Sequence, residues 1–232
     1  HGTERVLRLA NDLGRPLLIA STSEVYGKSS KPCQEDQDLV LGNTQSLRWS
    51  YACSKALNEF LGISYARHHG LPLTIARLFN TIGPFQSAQY GMVVPRFVRA
   101  ALAHEPLEIY GDGQQSRCCG DVCDVVGGLI ALAQSEQARG VVSNVGSVAE
   151  ITIDELADLV IEVTGSRSEK RYVPFEQVYG KHFEETRRRV PDLTKIRQAI
   201  GYQPRVRLEE TIMRIIHHME FGASQPAIES SF

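Results

Sequence analysis

Tyr51 and Lys55 stand four residues apart in the segment Tyr51-Ala52-Cys53-Ser54-Lys55, within a stretch of helical apolar spacing. That spacing aligns a phenol and an ammonium along one helix face. A cation held there stabilises the phenolate and turns a weakly acidic hydroxyl into a usable general base. A second set of reactive side chains, Ser21-Thr22-Ser23-Glu24 followed by Val25-Tyr26-Gly27, comes directly after the apolar run Pro16 to Ala20. Hydroxyls and a carboxylate released at the C-terminal end of a strand stand where open α/β sheets receive ligands. The two segments together predict an active site made from one strand end and one helix face.

The elements that must position them follow from patterning. Apolar residues at 6, 7, 9, 10 and 13 predict a helix over Gly2 to Leu13 closed by Gly14, and Pro16 to Ser21 reads as a strand. The polar stretch 28–47, with Pro32, Gly42 and Asn43, predicts a long loop. Arg48 to His69 is helical, with Ala56, Leu57, Phe60, Leu61 and Tyr65 on one side, and Leu73 to Phe79 is a buried strand. Strand, helix and strand in alternation predict an α/β fold with a doubly wound parallel sheet. Beyond Pro84 the pattern gives a helix over 91–103, a short strand and Gly-Asp-Gly turn over 107–117, a helix from Asp121 to Ala133 and a strand from Val141 to Val145. A helix from Thr152 to Val163, capped by Thr152 or Asp154, and a terminal helix from Leu208 to Met219 complete the reading.

Composition narrows the function classes. The 232 residues are 42% hydrophobic, enough for a buried core in one or two domains. Lys plus Arg (25) nearly balances Asp plus Glu (27), so nucleic acid is not an expected partner, and no apolar stretch approaches membrane-spanning length. Five cysteines, an odd number without a C-x-x-C pair, argue against a disulfide framework or a metal site and for the reducing cytoplasm. Cys118 and Cys119 are expected to fill apolar space beneath Arg117.

Further motifs follow in order: Arg77-Leu78-Phe79-Asn80-Thr81-Ile82-Gly83-Pro84, Gly91 to Arg96, Tyr110-Gly111-Asp112-Gly113 leading to Arg117, Asn144-Val145-Gly146, and Arg188-Arg189-Val190-Pro191-Asp192. With the first two segments they resemble, nearly end to end, the extended short-chain dehydrogenase/reductases of the NAD-dependent epimerase/dehydratase family, which modify nucleotide sugars. The resemblance implies a Rossmann-like fold. Family members open with a G-x-x-G-x-x-G turn that cradles the dinucleotide pyrophosphate, and these residues contain none. The expectation is therefore an N-terminally truncated member, its C-terminal two-thirds, that binds NAD poorly by itself. Residues 1–83, with 121–146 returning, would belong to the NAD-binding domain, and 84–120 and 147–232 to a smaller α/β nucleotide-sugar domain.

The resemblance also implies roles. Tyr51 would take the proton of the sugar C4 hydroxyl during oxidation to a 4-keto intermediate, Lys55 would bind the nicotinamide ribose, and Ser21, Leu78 and Phe79 would line the cofactor side. Thr22 would hydrogen-bond the reacting oxygen. Ser23-Glu24 matches the pair found in uronate decarboxylases, where 4,6-dehydratases carry Asp-Glu, and Glu24 would act as acid/base near C5 or C6. Arg117 would contact the diphosphate or the sugar carboxylate, although Cys119 replaces an aromatic common in the family. Asn80 and Arg189 resemble diphosphate-binding positions, and Val94, Arg96 and Tyr110 would line the base and ribose. A UDP-glucuronate decarboxylase-like enzyme, dimeric through a four-helix bundle containing the Tyr51 helix, is the leading expectation. A UDP-sugar 4-epimerase comes next, then a 4,6-dehydratase, and a non-catalytic nucleotide-sugar-binding paralogue stands as the alternative outside catalysis.

Overall fold

The computed structural model describes residues 2–29, 32–87, 92–180 and 184–222. The chain opens with α1 (Gly2–Asp12), β1 (Leu17–Thr22), a single 3-10 turn (Ser23–Tyr26), α2 (Arg48–His69) and β2 (Leu73–Leu78). It continues through β3 (Thr81–Ile82), α3 (Val93–Leu102), β4 (Leu107–Tyr110), β5 (Ser116–Cys118), β6 (Gly120–Asp121), α4 (Val122–Gln134) and β7 (Val142–Val145). The remainder is β8 (Glu150–Thr152), α5 (Ile153–Thr164), β9 (Lys170–Val173), α6 (Phe175–Tyr179), α7 (Thr194–Ile200) and α8 (Leu208–Phe221). Gly91, at the start of the helix expected over 91–103, lies outside the described residues.

The strands β1, β2 and β7 form a parallel sheet in that order, with Ile75 opposite Ile19 and Val142. Alternation along β2 explains why helices cover both faces. Leu73 and Ile75 pack with Leu7 and Ala10 of α1 and with Leu61 of α2. Ala76 and Leu78 point the other way, toward Val125 and Leu132 of α4 and Ile196 of α7. This is the doubly wound Rossmann-like arrangement, and its ligand end is the C-terminal edge of β1 and β2.

The face that α2 presents to the sheet differs from the one its apolar pattern suggests. Trp49, Ala52, Ala56, Glu59 and Gly62 are buried, whereas Leu57 and Phe60 are 56% and 66% exposed. Small residues decide the contact: a Cβ at Gly62 would stand 2.9 Å from side-chain atoms of Ile19 and of Leu73. The helix therefore lies close to the sheet along 52, 56, 59 and 62, and a carboxylate takes an inward position because Arg77 meets it there.

A second core gathers Val94, Phe97, Val98 and Ala101 of α3, Leu107 and Ile109 of β4, Leu156 and Val160 of α5, and Ile212 and Ile215 of α8. Thr152 caps α5 in a reciprocal capping box with Glu155, which satisfies two end donors of that helix. The chain then crosses back, because Leu193 and Ile196 of the α7 segment join the core against β7 and α4. Cys118 fills apolar space without exposure, and burial pushes its thiol up to about 12. Among the described residues no helix is long and apolar enough to cross a membrane.

Candidate active site

At the end of β1 the backbone turns sharply, and the local sequence dictates how. Thr22 Oγ1 accepts from the Glu24 N–H at 3.2 Å, capping the 3-10 turn. Gly27 closes it at φ 63°, with a would-be Cβ only 2.0 Å from the Val40 carbonyl oxygen, so no side chain fits there. Ser23 and Glu24 are thereby displayed at the strand's C-terminal edge. From α2, Lys55 Nζ donates to the Ala20 carbonyl at 2.9 Å and lies 6.0 Å from the Tyr51 ring centroid. Tyr51 itself is half exposed at 52%. The structure thus joins strand end and helix face into one site.

Glu24 anchors a row of alternating charges. Its Oε1 accepts from Arg189 Nη1 at 2.6 Å, and the same nitrogen donates to Ser23 Oγ at 3.1 Å. Its Oε2 faces Arg48 Nη2 at 3.4 Å, while Arg48 also donates to Thr186 Oγ1 at 3.3 Å. Arg48 Nη1 then meets Glu185 Oε2 at 3.6 Å, and the other Glu185 oxygen pairs with Arg117. Burial acts to raise the Glu24 carboxyl, but the charges of Arg189 and Arg48 and the Arg189 hydrogen bond outweigh it and hold it below the usual range.

A buried polar layer supports the site from beneath. Arg77 of β2 donates to both oxygens of Glu59 and to the Glu35 carbonyl, and Ser21 Oγ donates to Glu59. The Arg77 guanidinium lies 4.7 Å from the Tyr26 ring centroid, and Tyr26 donates to Asn144 Oδ1 at 2.6 Å. Asn144 in turn donates to the carbonyls of Cys33 and Asp192. The 28–47 loop and the segment carrying Arg189 are fixed to each other through it.

Other sequence-selected residues distribute along the cleft wall. Asn80 Nδ2 donates to the Cys118 carbonyl at 3.4 Å, a cross-strand tie and not a local turn. Arg96 stacks on Tyr110, with 3.8 Å to the ring centroid, and donates to the Glu108 carbonyl. Phe79 and Val94 are core residues, each 1% exposed, while Leu78 is partly buried. The three consecutive arginines separate: Arg187 pairs with Asp112, Arg188 with Glu150, and Arg189 turns inward, 4% exposed. Arg189 therefore stands with Ser23 and Glu24, at the end of the cleft next to β1.

Sequence reasoning did not single out Arg48, Glu59, Glu185, Phe175 or Tyr179. Arg48 lies three residues ahead of Tyr51 and Glu59 four beyond Lys55, so helical spacing was a usable signal for both. Tyr179 meets Tyr110 edge-on at 5.8 Å and stacks with Phe175 at 6.5 Å. Gly111, Asp112, Gln115, Phe175, Glu185 and Arg187 line a cavity of about 340 Å³ beside them.

Residues 1–215 match the family described as GDP-mannose 4,6 dehydratase. The chain belongs to this NAD-dependent epimerase/dehydratase family. The Bacillus cytotoxicus protein named UDP-N-acetyl-alpha-D-glucosaminuronate decarboxylase is 43% identical over 93% of this chain, which covers 67% of that protein. UDP-glucuronic acid decarboxylase 1 of Xenopus tropicalis is 35% identical over 94% of this family member, which spans only 50% of its length. In structure, the UDP-glucose 4-epimerase of Thermotoga maritima superposes with a TM-score of 0.84 at 27% identity, covering 96% of this chain and 69% of the other.

The donor set of this family member suits the nicotinamide end of NAD. Lys55, an ammonium with three N–H donors, is held on the carbonyl of the strand end beside the Tyr51 phenol. The pyrophosphate-binding glycine turn is not among these 232 residues.

Proposed function

We propose that this chain carries the catalytic and nucleotide-sugar-binding part of an NAD-dependent UDP-hexuronate decarboxylase working through a 4-keto intermediate. One observation carries the reading: Arg189 bridges Ser23 and Glu24 in the turn that directly follows the strand to which Lys55 is anchored. A guanidinium at the reacting end of the cleft suits a sugar carboxylate. The decarboxylase names of the relatives at 43% and 35% identity support the same chemistry.

Tyr51 removes the C4 hydroxyl proton, with Lys55 stabilising the phenolate and the Thr22 hydroxyl donating to the same oxygen. When bound, NAD supplies a hydride acceptor at C4 and returns that hydride at the end. With C4 a ketone, the C6 carboxylate lies β to a carbonyl. The C5–C6 bond then breaks, its electron pair passes into a C4–C5 enolate, and carbon dioxide leaves. Arg189 holds the carboxylate for that step, and Glu24 serves as acid/base at C5, relaying to that carbon the proton it must gain from a water molecule. Tyr51 finally returns its proton to the C4 oxygen.

Arg117 and Asn80 bind the diphosphate, and Arg96 and Tyr110, with Phe175 and Tyr179 next to them, face the base and ribose. Residues 1–83 and 121–146 form the cofactor half, and 84–120 and 147–232 the nucleotide-sugar half, α7 excepted because it packs on the sheet. A homodimer forms through α1 and α2, whose Val6, Leu9, Leu57 and Phe60 are exposed, as is Leu13 just after α1. Five unpaired thiols suit the cytoplasm.

A UDP-sugar 4-epimerase is the second reading, favoured by the superposition on the Thermotoga maritima epimerase. The deciding experiment incubates the full-length protein, glycine turn included, with NAD and either UDP-glucuronate or UDP-N-acetylglucosaminuronate and follows products by NMR. Carbon dioxide with a shortened sugar nucleotide is the expected result. A C4 epimer without gas would establish the second reading, and no turnover despite UDP binding would make the chain a non-catalytic binding paralogue.

A further inference from the structure

Among the described residues, Arg189, Arg48 and Arg117 converge on the carboxylates of Glu24 and Glu185, a row in which Glu185 stands between Arg48 and Arg117. The arginines are well covered, with 5%, 13% and 14% of their side chains exposed. Burial works against the Arg117 charge, as do Arg189 and Arg48, while Glu185 supports it. Positive charges gathered out of water call for anions. Glu24 leaves the end of β1 and is held there by the 3-10 turn. Glu185 comes from a different place: it belongs to the stretch between α6 and α7, and its neighbour Glu184 pairs outward with Lys28 at 2.6 Å. Glu185 also lines both the cavity of about 450 Å³ beside Trp49 and Lys28 and the cavity of about 340 Å³ beside Gly111 and Phe175. Glu185, with Arg187, therefore borders both.

We propose that Glu185 is an internal stand-in for the ligand's anion: it fills the subsite between Arg48 and Arg117, and a diphosphate or carboxylate must displace it to bind. The proposal rests on the nucleotide-sugar reading for the source of that anion, and on the charge row alone for its existence. A carboxylate and a phosphate oxygen are equivalent partners for a guanidinium fork, so exchange keeps both arginines satisfied. Affinity then reflects a difference between two anions, which favours ligands of higher charge over a single carboxylate. Glu185 sets specificity without taking part in chemistry.

The test titrates UDP and inorganic pyrophosphate separately into the wild-type chain, Glu185→Gln and Glu184→Gln by calorimetry. Removing the competing carboxylate is expected to tighten both ligands by about fivefold or more, the lower end of the range for coupled binding events. Glu184→Gln should leave both unchanged. UDP binding equally or more weakly to Glu185→Gln overturns the proposal while the nucleotide-sugar reading stands. Pyrophosphate tightening with no UDP binding to any variant keeps the proposal and removes that reading. If neither ligand binds any variant, the proposal falls.

Discussion

Glu59 stands one helical turn beyond Lys55 on α2, and its carboxylate closes a buried pair with Arg77 of β2, Nη2 to Oε2 at 2.7 Å. Ser21, immediately before Thr22, donates to the same carboxylate. The helix that carries Tyr51 and Lys55 is therefore tied to the strand ends by one charge pair whose side chains are 6% and 4% exposed. Removing one partner strands a charge, and Glu59→Gln is expected to cost about 3–5 kcal/mol in denaturant unfolding. The double variant Glu59→Leu/Arg77→Met should recover part of that loss, since a matched apolar pair strands no charge, while the Ser21 hydroxyl and the Glu35 carbonyl still lose a partner.

Tyr51→Phe removes the proposed general base and leaves the half-exposed ring in place. Turnover should fall by about 10²–10⁴-fold, with UDP affinity unchanged. Single-turnover NMR beside a calorimetric titration checks the two quantities separately.

Arg189 and Arg117 predict different kinetic signatures. Arg189 touches Ser23 and Glu24, so Arg189→Ala should lower kcat for carbon dioxide release by about 10²-fold or more. Arg117, placed as a diphosphate contact, should instead raise KM on substitution by Ala. A fall in kcat for Arg117→Ala with KM intact would reverse the assignment.

Glu24 makes stability depend on acid. Its folded-state pKa is depressed, so its contribution is fully present above the ordinary carboxylate value and is lost as pH falls through the lower folded value. The window lies below about 4.5. Asp121, Glu150 and Asp192 are depressed too, so the measurement is the difference between wild type and Glu24→Gln. Unfolding free energies should converge as the medium is acidified through that window.

Phe60 and Leu57 form an apolar strip on α2 that the core does not use. Phe60→Glu should convert a dimer to a monomer in sedimentation velocity without loss of secondary structure. A wild-type chain that sediments as a monomer would remove the interface.

The fold was legible where spacing and end signals agree. Arg48–His69, Leu73–Leu78 and α5 with its Thr152 cap stand within a residue or two of their expected bounds, because each is decided by local periodicity and capping. The inward face of α2 was not legible. An exposed Phe60 and a buried Glu59 invert hydropathy, and only Arg77 on a neighbouring strand explains the exchange. The same limit applies to the site. Tyr51, Lys55, Ser23 and Glu24 could be nominated for the candidate site because they sit in short motifs, and helical spacing offered a usable signal for Arg48, whereas Glu185 becomes visible only when segments far apart in sequence are folded together.

Arg189 and Glu24 are 165 residues apart along the chain, and the connecting pairing of Cys33 with Pro191 is equally non-local. Closing so long a loop is entropically unfavourable until most other contacts exist. The reactive end of the cleft is thus expected to assemble late in folding, as the α7 segment joins the sheet core. A refolding chain will regain helix signal before it regains the guanidinium beside Glu24, and partly folded molecules will carry the Tyr51–Lys55 helix without a working site.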